Sequence, residues 1–430
     1  MPSLPRSTQV LVVGGGPAGA STAWHLASAG LEVTLVDRAR FPRAKPCAEY
    51  VSPEGARLLH AMGALDALER GATAALTGME VHAPSGSVIR GEFVAQHGFR
   101  GFRDRGLGVR REILDALLVD RVRQAGVRVI EDVKTEALVE EAGRVVGVHV
   151  RHADSMHEMR ASVVVGADGL RSVVARRLGV ARSSRWPKRV AVVAHFRDVR
   201  DMGTMGEMHV ARNGYVGLAP VGEGLTNVAL VVPRSLAAGM RGDVAAFLRA
   251  WLAATPSLAG RFATATQVGR AQATGPFASR ASRAWAPGAL LVGDAADFFD
   301  PFTGEGIYAA LLGGELATPH IVDSLRSIER GNIASSVNAL AQYDRARRVA
   351  FTGKWRMERL IGAAVAMPWL MDYAARVLSR DRDLADLLVG VTGDFVPPSQ
   401  VLRPRTLLRF LWPFRSPPDV SAQVLHANRR

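Results

Sequence analysis

The stretch QVLVVGGGPAGA, residues 9–20, decides the fold of this 430-residue chain. Its first five residues form an apolar, β-branched run, which predicts a buried parallel strand. Residues 14–19 then satisfy the pattern G-x-G-x-x-G, where the strand must turn into a helix. The helical stretch is closed by Gly30, and a second strand, LEVTLV, ends at Asp37.

Each part of this unit has a physical role. Gly14 permits the tight turn, Gly16 lets the backbone approach a pyrophosphate, and Gly19 lets the helix lie close to the strand. The helix N-terminus attracts phosphate groups. Asp37 can accept hydrogen bonds from a ribose 2′-OH, and its charge would repel a 2′-phosphate. The unit therefore predicts a dinucleotide site, for either FAD or NAD.

Composition excludes several classes of protein. A hydrophobic content of 48% and a charged content of 22% predict a folded chain, whose length suggests two or three interleaved domains. A single cysteine, Cys47, excludes a disulfide framework or a cysteine-rich metal centre, and we expect no metal. The formal charge of +14 comes from scattered arginines without a recognition motif, so we expect no nucleic-acid partner.

The targeting signals that would place the chain in or across a membrane are missing from the sequence. The N-terminal segment lacks the basic and apolar regions of a signal peptide. No uncharged apolar run reaches the 18 or so residues that a transmembrane helix needs. A cytoplasmic location follows as the expectation.

Two further motifs repeat the pattern of a strand that ends in a polar loop. In ASVVVGADGLRSVVARRLG, residues 161–179, a strand ends at Asp168 and Gly169. In GALLVGDAADFFDPFTGEGIYAALLGGELA, residues 288–317, a strand ends at Asp294 and a helix opens nearby. The three motifs, in this order, resemble the FAD-dependent oxidoreductases of the p-hydroxybenzoate hydroxylase superfamily, which includes the geranylgeranyl reductases. The resemblance covers about residues 8–320.

The resemblance and the strand pattern together imply an α/β fold, α+β overall. We expect a Rossmann-type FAD-binding domain, interleaved with a substrate-binding domain made of a mostly antiparallel β-sheet. The FAD-binding domain takes residues 1–71, 106–179 and 278–322, and the substrate domain takes residues 72–105 and 180–277. Residues 323–430 are expected to form a C-terminal helical region with a basic tail.

The basic tail mixes six arginines with Leu, Phe and Trp residues from position 401 onward. Such a pattern suits peripheral contact with an anionic membrane surface. Packing of the tail on the body of the protein is the alternative.

The resemblance also implies which residues contact FAD. In the family, the aspartate of the third motif, Asp294 here, hydrogen-bonds the ribityl chain. An arginine ahead of the helix that follows residue 108 contacts the phosphates, and we prefer Arg111 to Arg110 for this role. A helix opening near residues 304–306 would direct N–H groups at the negative charge of reduced flavin. The expected FAD-binding residues are Gly14, Gly16, Pro17, Ala18, Gly19, Asp37, Arg38, Lys45, Pro46, Cys47, Arg111, Asp168, Gly169, Gly293, Asp294, Pro301, Gly304, Glu305, Gly306 and Ile307.

Residues 45–47, Lys-Pro-Cys, are similar to the K-P-C-G-G-G motif of geranylgeranyl reductases, in which the cysteine lies close to the flavin. Ala48, Glu49 and Tyr50 depart from that motif. The segment DPFTGEGI, residues 300–307, also resembles these reductases, whereas the aromatic hydroxylases carry a proline where this chain has Asp300.

A departure in the substrate sheet bears on the reaction. The family motif Y-x-W-x-F-P appears here as YVGLAP, residues 215–220, with Gly217 and Ala219 in place of Trp and Phe. Each missing aromatic side chain would fill about 150–250 Å². We therefore expect a wider slot and a bulkier substrate, unless other side chains fill the space.

Three functions remain open. The first hypothesis, favoured by the wide slot, is a monooxygenase that hydroxylates or epoxidises a bulky, polyketide-, terpenoid- or lipid-like secondary metabolite. The alternative, favoured by the motifs, is a geranylgeranyl reductase-like enzyme that reduces C=C bonds of an isoprenoid or lipid. Cys47, Tyr215 and Glu49 are its candidate catalytic residues. A flavin-binding protein without turnover is the third.

The electron donor also remains open. The sequence holds no second G-x-G-x-x-G motif. NAD(P)H would therefore bind transiently, or a partner reductase would supply the electrons.

Overall fold

Two large β-sheets organise the chain, one mostly parallel and one mostly antiparallel. The structure is a computed structural model that describes residues 4–183 and 188–411. The strands within these ranges are β1 (Ser7–Val13), β2 (Val33–Val36), β3 (Tyr50–Val51), β4 (Ala74–Leu76), β5 (Gly78–His82), β6 (Val88–Glu92), β7 (Gly106–Gly108), β8 (Arg128–Ile130), β9 (Lys134–Glu141), β10 (Arg144–His152), β11 (Ser155–Gly166), β12 (Ala181–Ser183), β13 (Arg189–Arg197), β14 (Met205–Ala211), β15 (Gly214–Pro220), β16 (Leu225–Pro233), β17 (Thr266–Thr274), β18 (Ser279–Ala281), β19 (Trp285–Ala286), β20 (Ala289–Leu291) and β21 (Asp297–Phe298).

The helices lie between these strands and, in the last quarter of the chain, follow one another. They are α1 (Pro17–Ser28), α2 (Gly55–Ala61), α3 (Leu65–Glu69), α4 (Arg111–Gln124), α5 (Val173–Arg177), α6 (Val244–Ala254), α7 (Gly306–Glu329), α8 (Ile333–Ala366), α9 (Pro368–Leu378), α10 (Arg382–Thr392) and α11 (Pro404–Leu411).

The first sheet contains the predicted dinucleotide-binding unit. Its strand order is β19-β20-β11-β1-β2-β8, and β9 and β10 extend it beside β11. The neighbours of β1 are both parallel to it, with Val10 opposite Val33 on one side and Val163 on the other. Leu11 and Val12 are completely buried, which explains why the run is apolar at successive positions. The α/β fold class predicted from the sequence is confirmed.

The second sheet has the order β17-β13-β16-β15-β14-β5-β6, and only the pair β14–β5 is parallel. One face packs on α6 through Leu248 and Leu252. The other face joins the C-terminal helices in a hydrophobic cluster that includes Tyr215, Met371 and Leu384. The predicted C-terminal helical region therefore covers one face of the substrate sheet, while the predicted domain boundaries stay predictions.

The start of the predicted basic tail packs on the protein body. On α11, Arg409 forms ion pairs with Asp381 and Asp383, and the Tyr373 hydroxyl donates to the Phe410 carbonyl oxygen. Residues 412–430, the rest of the tail, lie outside the described residues. Among the helices that the structure describes, none has the length and apolar character needed to cross a membrane.

Candidate functional site

A pocket of about 1140 Å³ opens where the loops of the first sheet meet the second sheet. We call it the main pocket. It brings together many of the predicted residues, which are Gly16, Pro17, Ala18, Lys45, Pro46, Cys47, Arg111, Gly169, Tyr215, Asp294, Pro301, Gly304, Gly306 and Ile307. The remaining predicted residues do not line it, and they are Gly14, Gly19, Asp37, Arg38, Glu49, Asp168, Gly293 and Glu305.

The glycines of the first motif create a backbone cradle at one end of the main pocket. A Cβ added to Gly19 would lie 1.8 Å from the carbonyl oxygen of Gly14, so only glycine allows this contact between helix and strand. A Cβ on Gly16 would instead face the guanidinium groups of Arg43 and Arg111, at 3.6 and 3.8 Å. Helix α1 begins there without a side-chain cap. Free N–H groups and two cations together suit a pyrophosphate.

Arg111 is anchored from behind by a buried carboxylate. It is 3% exposed and forms two hydrogen bonds to Asp115, whose carboxylate also pairs with Arg43 at 3.1 Å. Burial alone would lower the pKa of Arg111, but Asp115 and the neighbouring Cys47 raise it overall. Arg111 therefore stays charged beside the α1 N-terminus, whereas Arg110 pairs with Glu112 and Glu223 outside the main pocket.

Two acids hold the loops of the cradle and keep acceptor capacity. Asp37, which ends β2, accepts hydrogen bonds from the N–H groups of Gly15 and Ala39, at 2.6 and 2.8 Å. Asp168 uses one oxygen to accept from the N–H of Val173 at 2.6 Å. Its other oxygen is buried and has no partner among the described residues. Because a buried acceptor needs a donor, a hydroxyl group of a ligand would complete this site.

The opposite end of the main pocket is built by the loop before α7. Gly304 adopts φ 71°, and a Cβ there would lie 2.9 Å from the Tyr50 ring. Helix α7 then begins at Gly306 without a side-chain cap, so its first N–H groups remain available to a ligand. Asp294 lies 3.8 Å from Lys45, and burial together with Arg111 lowers the pKa of Lys45.

Glu305 has a structural place in this loop. Its buried carboxylate pairs with Lys354 of α8, with an N–O distance of 3.3 Å, on the side away from the main pocket. Burial raises the pKa of Glu305, and the ammonium group of Lys354 opposes that effect. The contact fixes the loop that carries the neighbouring glycines.

The three candidate catalytic residues have different surroundings. Tyr215 is completely buried, and its hydroxyl donates to Asp300 at 2.7 Å. Burial and Asp300 raise the pKa of Tyr215 well above its usual value. Glu49 accepts hydrogen bonds from the Arg111 N–H, the Asn227 amide and the His195 ring.

Cys47 lines the main pocket. Unlike Tyr215, which also lines it, Cys47 has no carboxylate partner among the described residues. Its thiol interacts with Arg111, and the Asn227 amide donates to its carbonyl oxygen at 2.9 Å. The loop of residues 45–49 is thus held between helix α4 and the second sheet.

The slot at Gly217 is partly filled. Gly217 lies opposite Met208 in the β14–β15 pair, and a Cβ on Gly217 would come within 3.2 Å of the Met208 sulfur. Met79 takes the matching place over Gly206. The expected widening is therefore reduced by methionines, which are flexible enough to fill irregular spaces.

Sequence reasoning missed several residues that hold the site. These are Arg43, Asp115, Arg189, His195, Asn227 and Lys354. Most of their partners are distant in the chain, and the local pair Arg111–Asp115 looks like an ordinary i,i+4 pair of a helix, so no sequence pattern marks them. Asp300 was visible as a departure from the hydroxylase motif, and the structure gives its reason: it pairs with Arg189 and accepts from Tyr215.

Comparisons with known proteins agree with this geometry. Residues 7–312 match the family model described as an FAD binding domain. The chain is 31% identical over 315 residues to digeranylgeranylglycerophospholipid reductase 2 of Methanopyrus kandleri. The aligned region covers 72% of this chain and 75% of that protein.

Two solved structures share the fold. A geranylgeranyl bacteriochlorophyll reductase-like protein from Thermoplasma acidophilum superposes with a TM-score of 0.70 at 22% identity, over 95% of this chain and 97% of the other. The myxobacterial chondrochloren halogenase gives a TM-score of 0.74 at 24% identity, over 82% and 81%. At these identities the likeness concerns the fold alone.

The glycine cradle, the unpaired oxygen of Asp168 and the uncapped start of α7 fit FAD, as the family match requires. The chain belongs to the FAD-binding domain family and is an FAD-dependent oxidoreductase of the p-hydroxybenzoate hydroxylase superfamily, in its geranylgeranyl reductase-like branch.

Proposed function

We propose that this protein reduces C=C bonds in the hydrophobic chain of an isoprenoid or lipid. The observation that carries the proposal is the wall of the main pocket on the second sheet. It is apolar and ends against the loops that fit the flavin. Its residues are Ala191, Val193, Met208, Ala229 and Val231 of the sheet, together with Phe277, which follows β17. The names of the relatives, which are reductases of digeranylgeranyl lipids, support the same class of substrate.

The residues of the chain would bind the cofactor and shape its surroundings. Arg111 and the N-terminus of α1 would hold the pyrophosphate, and Asp37, Asp168 and Asp294 would accept from its hydroxyl groups. Reduced FAD would supply the hydride. The uncapped N-terminus of α7 would stabilise negative charge at the edge of the ring, and the apolar wall would exclude water.

Reduction of a C=C bond also needs a proton at the second carbon. Tyr215 and Glu49 are committed to internal hydrogen bonds, which makes them positioning residues. Cys47 lines the main pocket and is the residue we propose to stand nearest the reacting bond. Its role can be tested with Cys47→Ser and Cys47→Ala. A proton-transfer role requires slower turnover with an unchanged flavin spectrum, and normal turnover in both variants would make Cys47 a packing residue.

The monooxygenase hypothesis rested on an emptied slot. Met208 occupies part of that slot, so the compensation considered from the sequence is supported. The relatives also favour the reductase alternative.

The deciding experiment is an anaerobic turnover with chemically reduced enzyme and a geranylgeranyl lipid. The proposal requires a product heavier by two hydrogen atoms for each bond reduced, formed without O₂. Product that forms only with O₂ and gains one oxygen atom would instead establish a monooxygenase. Adding NADH, NADPH or a purified reductase in separate reactions then identifies the electron donor.

Contact with an anionic membrane would help such an enzyme to reach lipid substrates. Leu407 and Leu408 of α11 are exposed beside Arg403 and Arg405, which supports a peripheral contact at this helix. Sedimentation with anionic vesicles, with Leu408→Ser as the weakened variant, tests it.

A further inference from the structure

A second cavity, of about 610 Å³, lies behind the loop that builds the far end of the main pocket. We call it the rear cavity. It is bounded by residues 293–306 and by helices α7 and α8. Asp294, Phe298 and Gly306 line both the rear cavity and the main pocket, so they form a wall that the two spaces share. The loop that fits the flavin therefore has a second, internal face.

Four charged side chains gather at this internal face. The ammonium group of Lys354 pairs with Glu305 at 3.3 Å and also with Asp394, and the side chains of all three are at most 10% exposed. Glu358 follows Lys354 by one turn of α8 and lines the rear cavity beside Lys354 and Glu305. We call these four residues the Lys354 cluster. Three carboxyl groups in it share a single cation.

The charged and titratable groups around the Lys354 cluster are paired, exposed or neutral. The other acids that line the rear cavity have cations of their own, and these pairs are Asp294 with Lys45, Asp297 with Arg347 and Asp300 with Arg189. Arg359 of α8 is exposed. Tyr50 and Tyr308 stay neutral, because burial raises the pKa of both hydroxyl groups. The excess of negative charge at the rear cavity therefore belongs to the Lys354 cluster.

This excess makes full ionisation of the cluster costly. If all three carboxyl groups were ionised, two negative charges would lack a cation in a buried place, which desolvation opposes. One oxygen of Asp394 is buried and has no hydrogen-bond partner in the described part of the chain. Glu358 forms no hydrogen bond or ion pair with the described residues, and burial and Glu305 raise its pKa to about 8. The cluster therefore holds a proton at neutral pH, on Glu358.

The N-terminus of α7 connects the cluster to the flavin. Glu305 directly precedes Gly306, where the free N–H groups of α7 suit the negative edge of the reduced ring. Reduction of the flavin would therefore place a negative charge on one face of the loop, while the Lys354 cluster lies on the other. Like charges across a buried wall repel, so reduced flavin favours the protonated form of the cluster. By linkage, the proton favours the reduced flavin to the same extent.

We propose that Glu358 is a proton-binding residue whose affinity for its proton increases when the bound flavin is reduced. Two electrons enter the flavin from the electron donor. One proton from water binds the Glu358 carboxylate, in addition to any proton that the flavin itself takes up, and it cancels part of the charge that the electrons bring. This coupling requires FAD in the main pocket but no particular substrate, so its test is independent of whether the protein reduces isoprenoid chains.

The test measures the midpoint potential of the bound FAD against pH, by spectroelectrochemical titration of the full-length enzyme. Glu358→Gln keeps the shape of the neutral side chain and cannot ionise, whereas Glu358→Asp keeps a carboxyl group that titrates. Glu329→Gln, at the exposed end of α7, is the matched control, because it removes the same charge from the protein surface.

Below about pH 7, the potentials of the wild type and of Glu358→Gln should change in parallel, because Glu358 is then neutral in both oxidation states. From there to about pH 10, the wild-type potential should fall further than that of Glu358→Gln by about 30 mV, which corresponds to tenfold tighter proton binding in the reduced enzyme. Glu358→Asp should also show the extra fall, and Glu329→Gln should behave as the wild type. Parallel curves over the whole range, or loss of the extra fall in the control as well, would overturn the coupling.

A second readout detects the proton itself. Protonated carboxyl groups have a C=O stretching band that infrared difference spectra resolve. At about pH 9, chemical reduction of the FAD-loaded wild type should strengthen this band, and no such gain should occur in Glu358→Gln. In Glu358→Asp the gain should occur at a shifted frequency, which decides the matter even where the glutamine variant does not bind FAD. An unshifted gain, or no gain in the wild type, contradicts the role of Glu358.

Discussion

Replacing Asp300 with asparagine removes the charge that connects the flavin loop to the second sheet. Asp300 is 2% exposed and Arg189 is 6% exposed, and their side chains lie 2.6 Å apart. The same carboxylate accepts from the Tyr215 hydroxyl at 2.7 Å and from the Phe302 N–H at 3.0 Å. Asparagine keeps the shape and one acceptor oxygen, but leaves the Arg189 charge buried without a counter-ion.

The structure sets the expected size of this effect. Breaking a buried ion pair by removing one partner destabilises a protein by about 3–5 kcal/mol. Tyr215→Phe removes a single hydrogen bond to the same carboxylate, and we expect it to lower the free energy of unfolding by only about 1.5–3 kcal/mol. The affinity for FAD should fall with Asp300→Asn, because Pro301 and Gly304 belong to the displaced loop.

The assay is urea unfolding of the cofactor-free protein, followed by tryptophan fluorescence, together with a fluorescence titration with FAD. The double variant Asp300→Asn/Arg189→Met removes both charges. Its loss of unfolding free energy should be clearly smaller than the sum of the losses in the two single variants. A loss below about 1 kcal/mol for Asp300→Asn, or additive effects in the double variant, would refute the assignment of this pair as a buried connection.

Three further predictions concern other parts of the fold. Gly19→Ala should abolish FAD binding, because its Cβ would overlap a carbonyl oxygen, whereas Gly203→Ala, with nothing within 4 Å, should bind normally in the same titration. Burial would raise the pKa of Glu207, but His209 and Arg261 lower it to about 2, so its contribution of about 3 kcal/mol is present above pH 4.5 and lost as the pH falls toward 2. In an acid-unfolding experiment, the Glu207→Gln variant should not show this loss of stability between pH 4.5 and 2. Burial and Glu305 raise the pKa of Glu358 to about 8. The folded protein therefore loses stability as the pH rises from 4.5 through 8, because Glu358 ionises in the unfolded chain before it ionises in the folded one. Glu358→Gln should therefore unfold at higher urea than the wild type at pH 9, and at the same urea at pH 4.5.

The cofactor motifs could be predicted because their geometry is local. The contact between Gly19 and Gly14 spans five residues, and the start of α1 follows from the same turn. The alternation of apolar residues likewise predicted the strands of the second sheet. The choice between Arg110 and Arg111 depends on the fold, since adjacent residues of a helix start point in different directions. The structure places Arg111 in the main pocket, whereas Arg110 lies outside it and pairs with Glu112 and Glu223.

The candidate catalytic residues could not be separated by sequence. Glu49 and Cys47 are two residues apart, yet Glu49 is occupied by groups from α4, β13 and β16. The replacement of two aromatic residues suggested a wide slot, but the filling residue, Met208, lies on the neighbouring strand. Which side chains face each other across a sheet depends on register, and a single sequence does not state the register.

The sequence by itself determined the dinucleotide unit and the α/β architecture, because glycine contacts, helix starts and strand periodicity act over a few residues. The choice of FAD rested on the resemblance of the three motifs to a known family. Only the tertiary structure decided that Tyr215 and Glu49 are held in internal networks and that Cys47 faces the main pocket. These outcomes depend on pairs that are far apart in the chain. Tyr215 and Asp300 are separated by 85 positions, and Glu49 and Asn227 by 178. Packing of the two sheets against each other, rather than any local pattern, brings such pairs into contact.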